Sequence, residues 1–189
     1  MPLTPLHLSY VWPLKLRFKR LSFAALTLGA MVPDLENPIL YLLGFYPWRL
    51  ITHSFFGTFT VDLFTTILLL KILSRLRIER MGLNGFNDFK LNGYVLFSAF
   101  LGSLSHVLVD WTHHSHNPLF QPFNPIYVRG LLLNVLNNPF GDILVNSASL
   151  LILVLILKKI LNDQGHSLLL MLHRPFTALS LITARLSRS

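Results

Sequence analysis

Apolar residues in this chain fall into blocks separated by short polar, basic or proline-rich stretches. Three blocks have the length of membrane-crossing helices: residues 54–74 (SFFGTFTVDLFTTILLLKILS), 93–110 (GYVLFSAFLGSLSHVLVD) and 142–157 (DILVNSASLLILVLIL). A spanning helix needs about 20 mostly apolar residues, because each adds about 1.5 Å against a hydrocarbon core about 30 Å thick. Two earlier blocks, 4–14 and 21–32, are shorter, and about 12 residues rise only about 18 Å. They are predicted to form a half-membrane helical hairpin packed against the longer helices, with Pro33 stopping the second arm. Residues 38–48 are aromatic and carry Pro38, Gly44 and Pro47, which predicts an interfacial loop or a broken helix. Residues 115–141 hold four prolines and read as a connection. The tail, 166–189, mixes basic residues with leucines, so it is either an interfacial amphipathic helix or a loosely held last span. The expected fold class is all-α, a polytopic membrane helical bundle with three long spans and a short N-terminal hairpin. Residues 1–165 form the membrane-embedded domain and 166–189 a basic amphipathic tail.

Composition supports lipid as the solvent. Of 189 residues, 52% are hydrophobic and 13% charged, whereas soluble domains carry roughly 25% charged residues. The formal net charge of +8 comes from 16 Lys and Arg against 8 Asp and Glu. These cations flank the apolar blocks instead of forming one long patch, the pattern that sets membrane orientation. The bilayer is thus the expected partner, and nucleic acid is not. The absence of cysteine excludes disulfides and cysteine-based zinc sites. The opening lacks a basic stretch ahead of its first apolar block, so insertion is expected to use internal segments.

The remaining polar residues separate from the cations under a single threading. Lys15 to Arg20, Lys71 to Arg80, Lys90 and the pair Lys158 and Lys159 all fall on one side of the membrane. His7, Asp34, His53, His106 and Asp110 fall on the other, together with Glu36 and the run His113, His114, His116. Among loop cations only Arg49 and Arg129 share that second side. The positive-inside rule makes the cationic side cytoplasmic, so the histidines and carboxylates face outward from a cell (inner or plasma) membrane.

Imidazole nitrogens and carboxylate oxygens are ligands for zinc, manganese or iron. His106 and Asp110 are four apart and share a helix face, and His113 and His114 extend it if the helix persists. A single histidine at a helix end is usually an interfacial hydrogen-bonder. Five such residues on one membrane face point instead to a metal site, since ionisable groups in the membrane are costly and usually functional. His7, Asp34, His53, His106 and Asp110 are therefore predicted to hold one or two divalent ions. Asp110→Ala is expected to spare the fold, because that side chain adds little apolar packing. Asp62 lies mid-span, nine residues after His53, and is expected on the opposite face. Its expected partners are Thr58, Thr65, Thr66 or a neighbouring helix. Asp142 heads the third span and ranks below the other carboxylates.

Several stretches resemble the membrane-bound metal-dependent hydrolase family of prokaryotic inner-membrane proteins. They are Pro2-Leu-Thr-Pro-Leu-His7, Gly29-Ala-Met-Val-Pro-Asp34-Leu-Glu36, Arg49-Leu-Ile-Thr-His53-Ser54 and Gly102-Ser-Leu-Ser-His106-Val-Leu-Val-Asp110-Trp-Thr-His113. Pro118-Leu-Phe-Gln-Pro-Phe123 also fits, and the resemblance covers roughly residues 1–160. More distantly, the order of ligands looks like that of zinc-dependent phospholipase C and the single-strand-specific nucleases. That likeness implies a helical phosphodiesterase scaffold and carries over to His7, Asp34, His53, His106 and Asp110. Those enzymes use a mature amino-terminal residue and a further downstream histidine-to-aspartate pair as ligands. This chain has residues before His7 and no such pair after residue 117, so one or two ions are expected, with zinc first and manganese or iron as alternatives.

The expected function is hydrolysis of a phosphoester at the outer surface, with a lipid headgroup as one candidate substrate. Asp34 or Asp110 would bridge or orient the attacking water, and His113 or His114 would act as general acid. The alternatives are a non-enzymatic metal-binding membrane protein and a purely structural one.

Overall fold

The structure is a computed structural model and describes residues 4–76, 90–136, 140–166 and 175–188. After a 3-10 turn at Thr4–His7 come α1 (Leu8–Arg17) and α2 (Phe23–Met31). The chain continues through a 3-10 turn at Val32–Leu35 into α3 (Glu36–Leu42), then a 3-10 turn at Ile51–His53. The long helices follow: α4 (Phe55–Phe59) with α5 (Val61–Arg75), α6 (Gly93–His113) and α7 (Phe140–Asn162), and last α8 (Pro175–Arg188). Among the described residues there is no β-strand, only an isolated bridge between Asn117 and Val128.

The expected architecture is present: an all-helical chain with a short N-terminal hairpin and three helices apolar and long enough to cross a membrane. These are Phe55–Arg75, Gly93–His113 and Phe140–Asn162, of 21, 21 and 23 residues, or about 32 to 35 Å of rise. Their outward faces are apolar. Phe64, Leu68 and Ile72 on α5, Phe97 on α6, and Ile143, Leu144, Leu151 and Leu155 on α7 are all exposed. So much exposed apolar surface is compatible with a lipid environment.

Several boundaries differ from the sequence expectation for local reasons. The first span is not one continuous helix, because Thr60 (φ −118°, ψ −86°) separates α4 from α5. The hydroxyl of Thr60 donates to the carbonyl of Phe56, an alternative to the helical ladder. The second span runs on through His113, which puts that histidine on the helix. Residues 36–42 are helical, so only the stretch beyond Leu42 is irregular. The tail is not loose where it is described: Ala178 and Ile182 of α8 are buried in the same core as Val11, Trp12, Leu26 and Leu161.

The centre of that core is α2, whose Ala24, Ala25, Leu26 and Ala30 are almost fully buried. Ser22 caps it by accepting from the Ala25 N–H, and Asn92 caps α6 by accepting from the Val95 N–H. The two helices run parallel. The Ser22 N–H donates to Ser98 Oγ at the basic end, and Ala30 pairs with His106 at the other. Gly29 and Gly102 let the backbones approach until a Cβ on either would collide with a carbonyl of the facing helix. This contact carries the ends of α2 and α6, and the side chains just beyond them, to one place.

Candidate metal centre

Five histidines and two aspartates meet where α2, the Ile51–His53 turn, α6 and the amino-terminal turn converge. The His106 ring is oriented from α2, since its Nδ1–H donates to the Ala30 carbonyl at 2.8 Å. A carbonyl only accepts, so the neutral ring carries its proton on Nδ1 and presents a lone pair at Nε2. His113 repeats the device by donating from Nδ1 to the Val109 carbonyl at 2.9 Å. His53 has Glu36 Oε2 at 3.4 Å from Nδ1, and its Nε2 faces inward. His7 stacks on His106 with ring centroids 3.9 Å apart.

Asp110 stands at the middle, and its two oxygens face different sets of rings. Oδ2 lies 3.6 Å from His53 Nε2 and 3.5 Å from His106 Nε2. Asp34 Oδ1 completes that side, 3.9 Å from His53 Nε2 and 3.6 Å from His106 Nε2. Oδ1 of Asp110 lies 3.7 Å from both His7 Nε2 and His114 Nε2. Donor atoms of Asp34, His53, His106 and Asp110 lie within 4.8 Å of one another, and so do those of Asp110, His113 and His114. Asp110 belongs to both groups.

These separations decide what the atoms can do. Hydrogen bonds between such groups run about 2.7–3.2 Å. The inward nitrogens of His7, His53, His106, His113 and His114 and both oxygens of Asp110 are buried without a hydrogen-bond partner. Burying that many unpaired polar atoms is costly. Ligand atoms bonded to one ion at about 2.0–2.2 Å sit about 3.3–3.6 Å apart, close to the spacing found here. The donor set therefore suits a metal ion in each of the two groups that share Asp110.

The rings of His7 and His114 are held in the state that fit needs. Burial first, and then the neighbouring His106, lower His7 to about 3. Burial and then Arg49 lower His114 to about 2, so both rings are neutral as ligation requires. Burial opposes ionisation of Asp34, but the facing His53 and His106 outweigh it and hold its carboxyl below the usual range. Glu36 is held low in the same way, by His53, the Thr52 hydroxyl and the Leu50 N–H. Among the described residues Arg49 is the cation paired with this group, through Asp110 alone, so the carboxylates of Asp34, Glu36 and Asp110 leave an excess of negative charge suited to cations.

The family described as a domain of unknown function, DUF4184, matches residues 1–164. This chain belongs to that family. No curated protein and no solved structure matches it. Membership in DUF4184 assigns no chemistry.

In this DUF4184 chain all five predicted ligands, His7, Asp34, His53, His106 and Asp110, come together. His113 and His114 join them, both buried, whereas His116 is exposed on a rim formed with Tyr46 and Tyr127. Asp142, ranked low from the sequence, lies 3.5 Å from His114 Nδ1. Two residues had no predicted role. Glu36 accepts from Thr52 Oγ1 at 2.7 Å and the Leu50 N–H at 2.8 Å, tying the His53 turn to α3. Arg49, 7% exposed, places Nη2 3.0 Å from Asp110 Oδ2. Its signal was there to read, as one of only two loop cations on the side that otherwise collects acids and histidines.

Asp62 lies deeper in the DUF4184 bundle and belongs to neither ligand group. Of its expected partners the neighbouring helix provides the bond, with Ser103 Oγ donating at 2.6 Å. Asn at this position keeps an acceptor oxygen, so Asp62→Asn is expected to leave bound metal unchanged when measured by mass spectrometry of purified protein. Loss of metal in that variant would put Asp62 among the ligands.

Proposed function

We propose that this chain is a membrane-embedded metal-dependent hydrolase that cleaves a phosphoester at the outward face of the cell (inner or plasma) membrane by activating water. The observation that carries the reading is Asp110, whose two carboxylate oxygens each face a separate set of unpaired ring nitrogens. Two-ion sites with ions about 3.5–4 Å apart use such a shared carboxylate, and the ions there activate water and neutralise phosphoryl charge. Asp34, His53 and His106 would hold one ion with Asp110 Oδ2. His7, His114 and His113 would hold the other on the Oδ1 side. His113 carries its proton on Nδ1 toward Val109, and burial keeps His114 neutral. We therefore read both as ligands instead of general acids. Glu36 and Asp142 orient His53 and His114 from behind, and zinc suits this nitrogen and oxygen set best.

One observation favours a second reading. The Arg49–Asp110 contact neutralises one carboxylate with no ion, which would make the polar centre a clamp on helix ends. Metal content separates the two. Purified protein should hold one or two zinc, manganese or iron ions, His106→Ala should lose them, and only the loaded protein should hydrolyse phosphodiesters or phospholipids. Protein expressed with ample zinc yet carrying no metal would leave the clamp.

Sidedness has its own test, made clean by the absence of native cysteine. Phe123→Cys, at an exposed position on the loop that follows α6, should react with an impermeant maleimide on intact cells. Leu76→Cys, exposed at the basic end of α5, should be spared. The reverse pattern would turn the site toward the cytoplasm.

A further inference from the structure

Beside the metal centre lies a cavity of about 230 Å³ lined by Tyr46, Trp48, Arg49, His114, His116 and Asp142, among others. Arg49 and His114 form its inner wall, 7% and 8% exposed. Nε of Arg49 is buried without a hydrogen-bond partner. Its Nη2 touches Asp110 Oδ2 only as an ion contact, without hydrogen-bond alignment. A buried guanidinium normally spends its planar fork on carboxylate or phosphate in paired bonds. Here the fork is only partly used, and Arg49 lines the cavity.

We propose that this cavity is the phosphoryl subsite and that Arg49 holds the substrate's phosphoryl oxygens against the ions. The assignment deepens the hydrolase reading and rests on it. Three features beyond the free donors fit a phosphorylated ligand. With both ion positions filled, the centre turns from net negative to net positive, because four ionic charges and Arg49 then face Asp34, Glu36, Asp110 and Asp142. The volume exceeds by several-fold the roughly 30 Å³ that a water occupies, so a phosphoryl group and its first substituent atoms fit. The rim of Tyr46, Trp48 and His116 offers amphipathic rings of the kind that sit at the headgroup level of a membrane. Asp142 Oδ1 faces His114 Nδ1 at 3.5 Å and repels an anion from its own side, which leaves the Arg49 wall as the place for it.

The test measures metal content and inorganic phosphate binding on the full chain in nanodiscs, for the wild type, Arg49→Gln and Arg49→Lys. Loss of a charge-assisted paired contact is expected to weaken phosphate binding by about 10–100-fold in Arg49→Gln, with Arg49→Lys between, while metal content stays at the wild-type value. Ser115→Trp narrows the cavity without altering Arg49 and should weaken phosphate binding with metal retained. Metal-loaded wild type that binds no phosphate, or binds it as tightly after Arg49→Gln, would overturn the subsite and leave the metal centre standing. Loss of metal in both Arg49 variants would also overturn it, by making Arg49 a support for Asp110. Wild type that holds no metal would defeat the hydrolase reading, and Arg49-dependent phosphate binding would then stand apart from it. Phosphatidic acid added to the disc lipids should compete with phosphate if the ligand is a lipid headgroup. It should have no effect if the ligand is a soluble phosphorylated compound.

Discussion

Asp110→Ala should empty both halves of the metal centre at once. Removing a group that only orients a ligand costs about 10–100-fold in metal affinity. Removing the carboxylate shared by both ligand sets should exceed that, leaving purified protein without measurable bound metal. The same change should also destabilise the fold, against the expectation from sequence position. Asp110 adds little apolar packing, but its Oδ2 is the charge partner of a buried Arg49. A buried charge stripped of its partner costs about 3–5 kcal/mol. The double variant Asp110→Ala, Arg49→Met separates the two effects. It should recover thermal stability and still hold no metal. If Asp110→Ala kept the wild-type metal content, the bridging assignment would be wrong.

Gly102→Val should disrupt the site without touching any ligand. A Cβ on Gly102 would collide with the Leu26 carbonyl and lie 2.9 Å from the Ala30 nitrogen, and both are backbone atoms of α2. Neither can move without separating α2 from α6. Overpacking of this kind costs about 1–3 kcal/mol, and a rigid backbone contact belongs at the upper end. The functional consequence should be larger. The Ala30 carbonyl that orients His106 is part of the same contact, and Asp34 follows on the same stretch of chain. Metal affinity should therefore fall along with stability. Gly93→Ala is the control, since a Cβ there meets nothing within 4 Å. Equal melting temperatures and metal contents for the two variants would mean that the close approach does not position the site.

Much of this protein was legible in one dimension. Helix existence follows from the length of apolar runs, so the spans over 54–74, 93–110 and 142–157 and the hairpin before them emerged from the sequence within a few residues. Segregation of charge is also a property of order along the chain. Once the spans were threaded, Lys15 to Arg20 and Lys158 to Lys159 went to one side, and His7, Asp34, His53, His106 and Asp110 to the other. The spacing of His106 and Asp110 put them on one helix face because helical periodicity is local.

What the tertiary structure decided concerns direction and partnership, which depend on groups far apart in sequence. Which nitrogen of His106 faces inward is set by the Ala30 carbonyl, 76 residues away. Glu36 became the partner of His53 because the stretch between them returns the turn to α3, and Arg49 came with it to meet Asp110. The break at Thr60 reflects a hydroxyl competing with the helix ladder, a contest that apolar periodicity does not register. The division of Asp110 into two faces arises only when three separate stretches of chain bring five rings around one carboxylate. Hydrophobic pattern places helices and their ends, but the aim of the His106 ring is set by a distant backbone carbonyl that accepts its hydrogen bond.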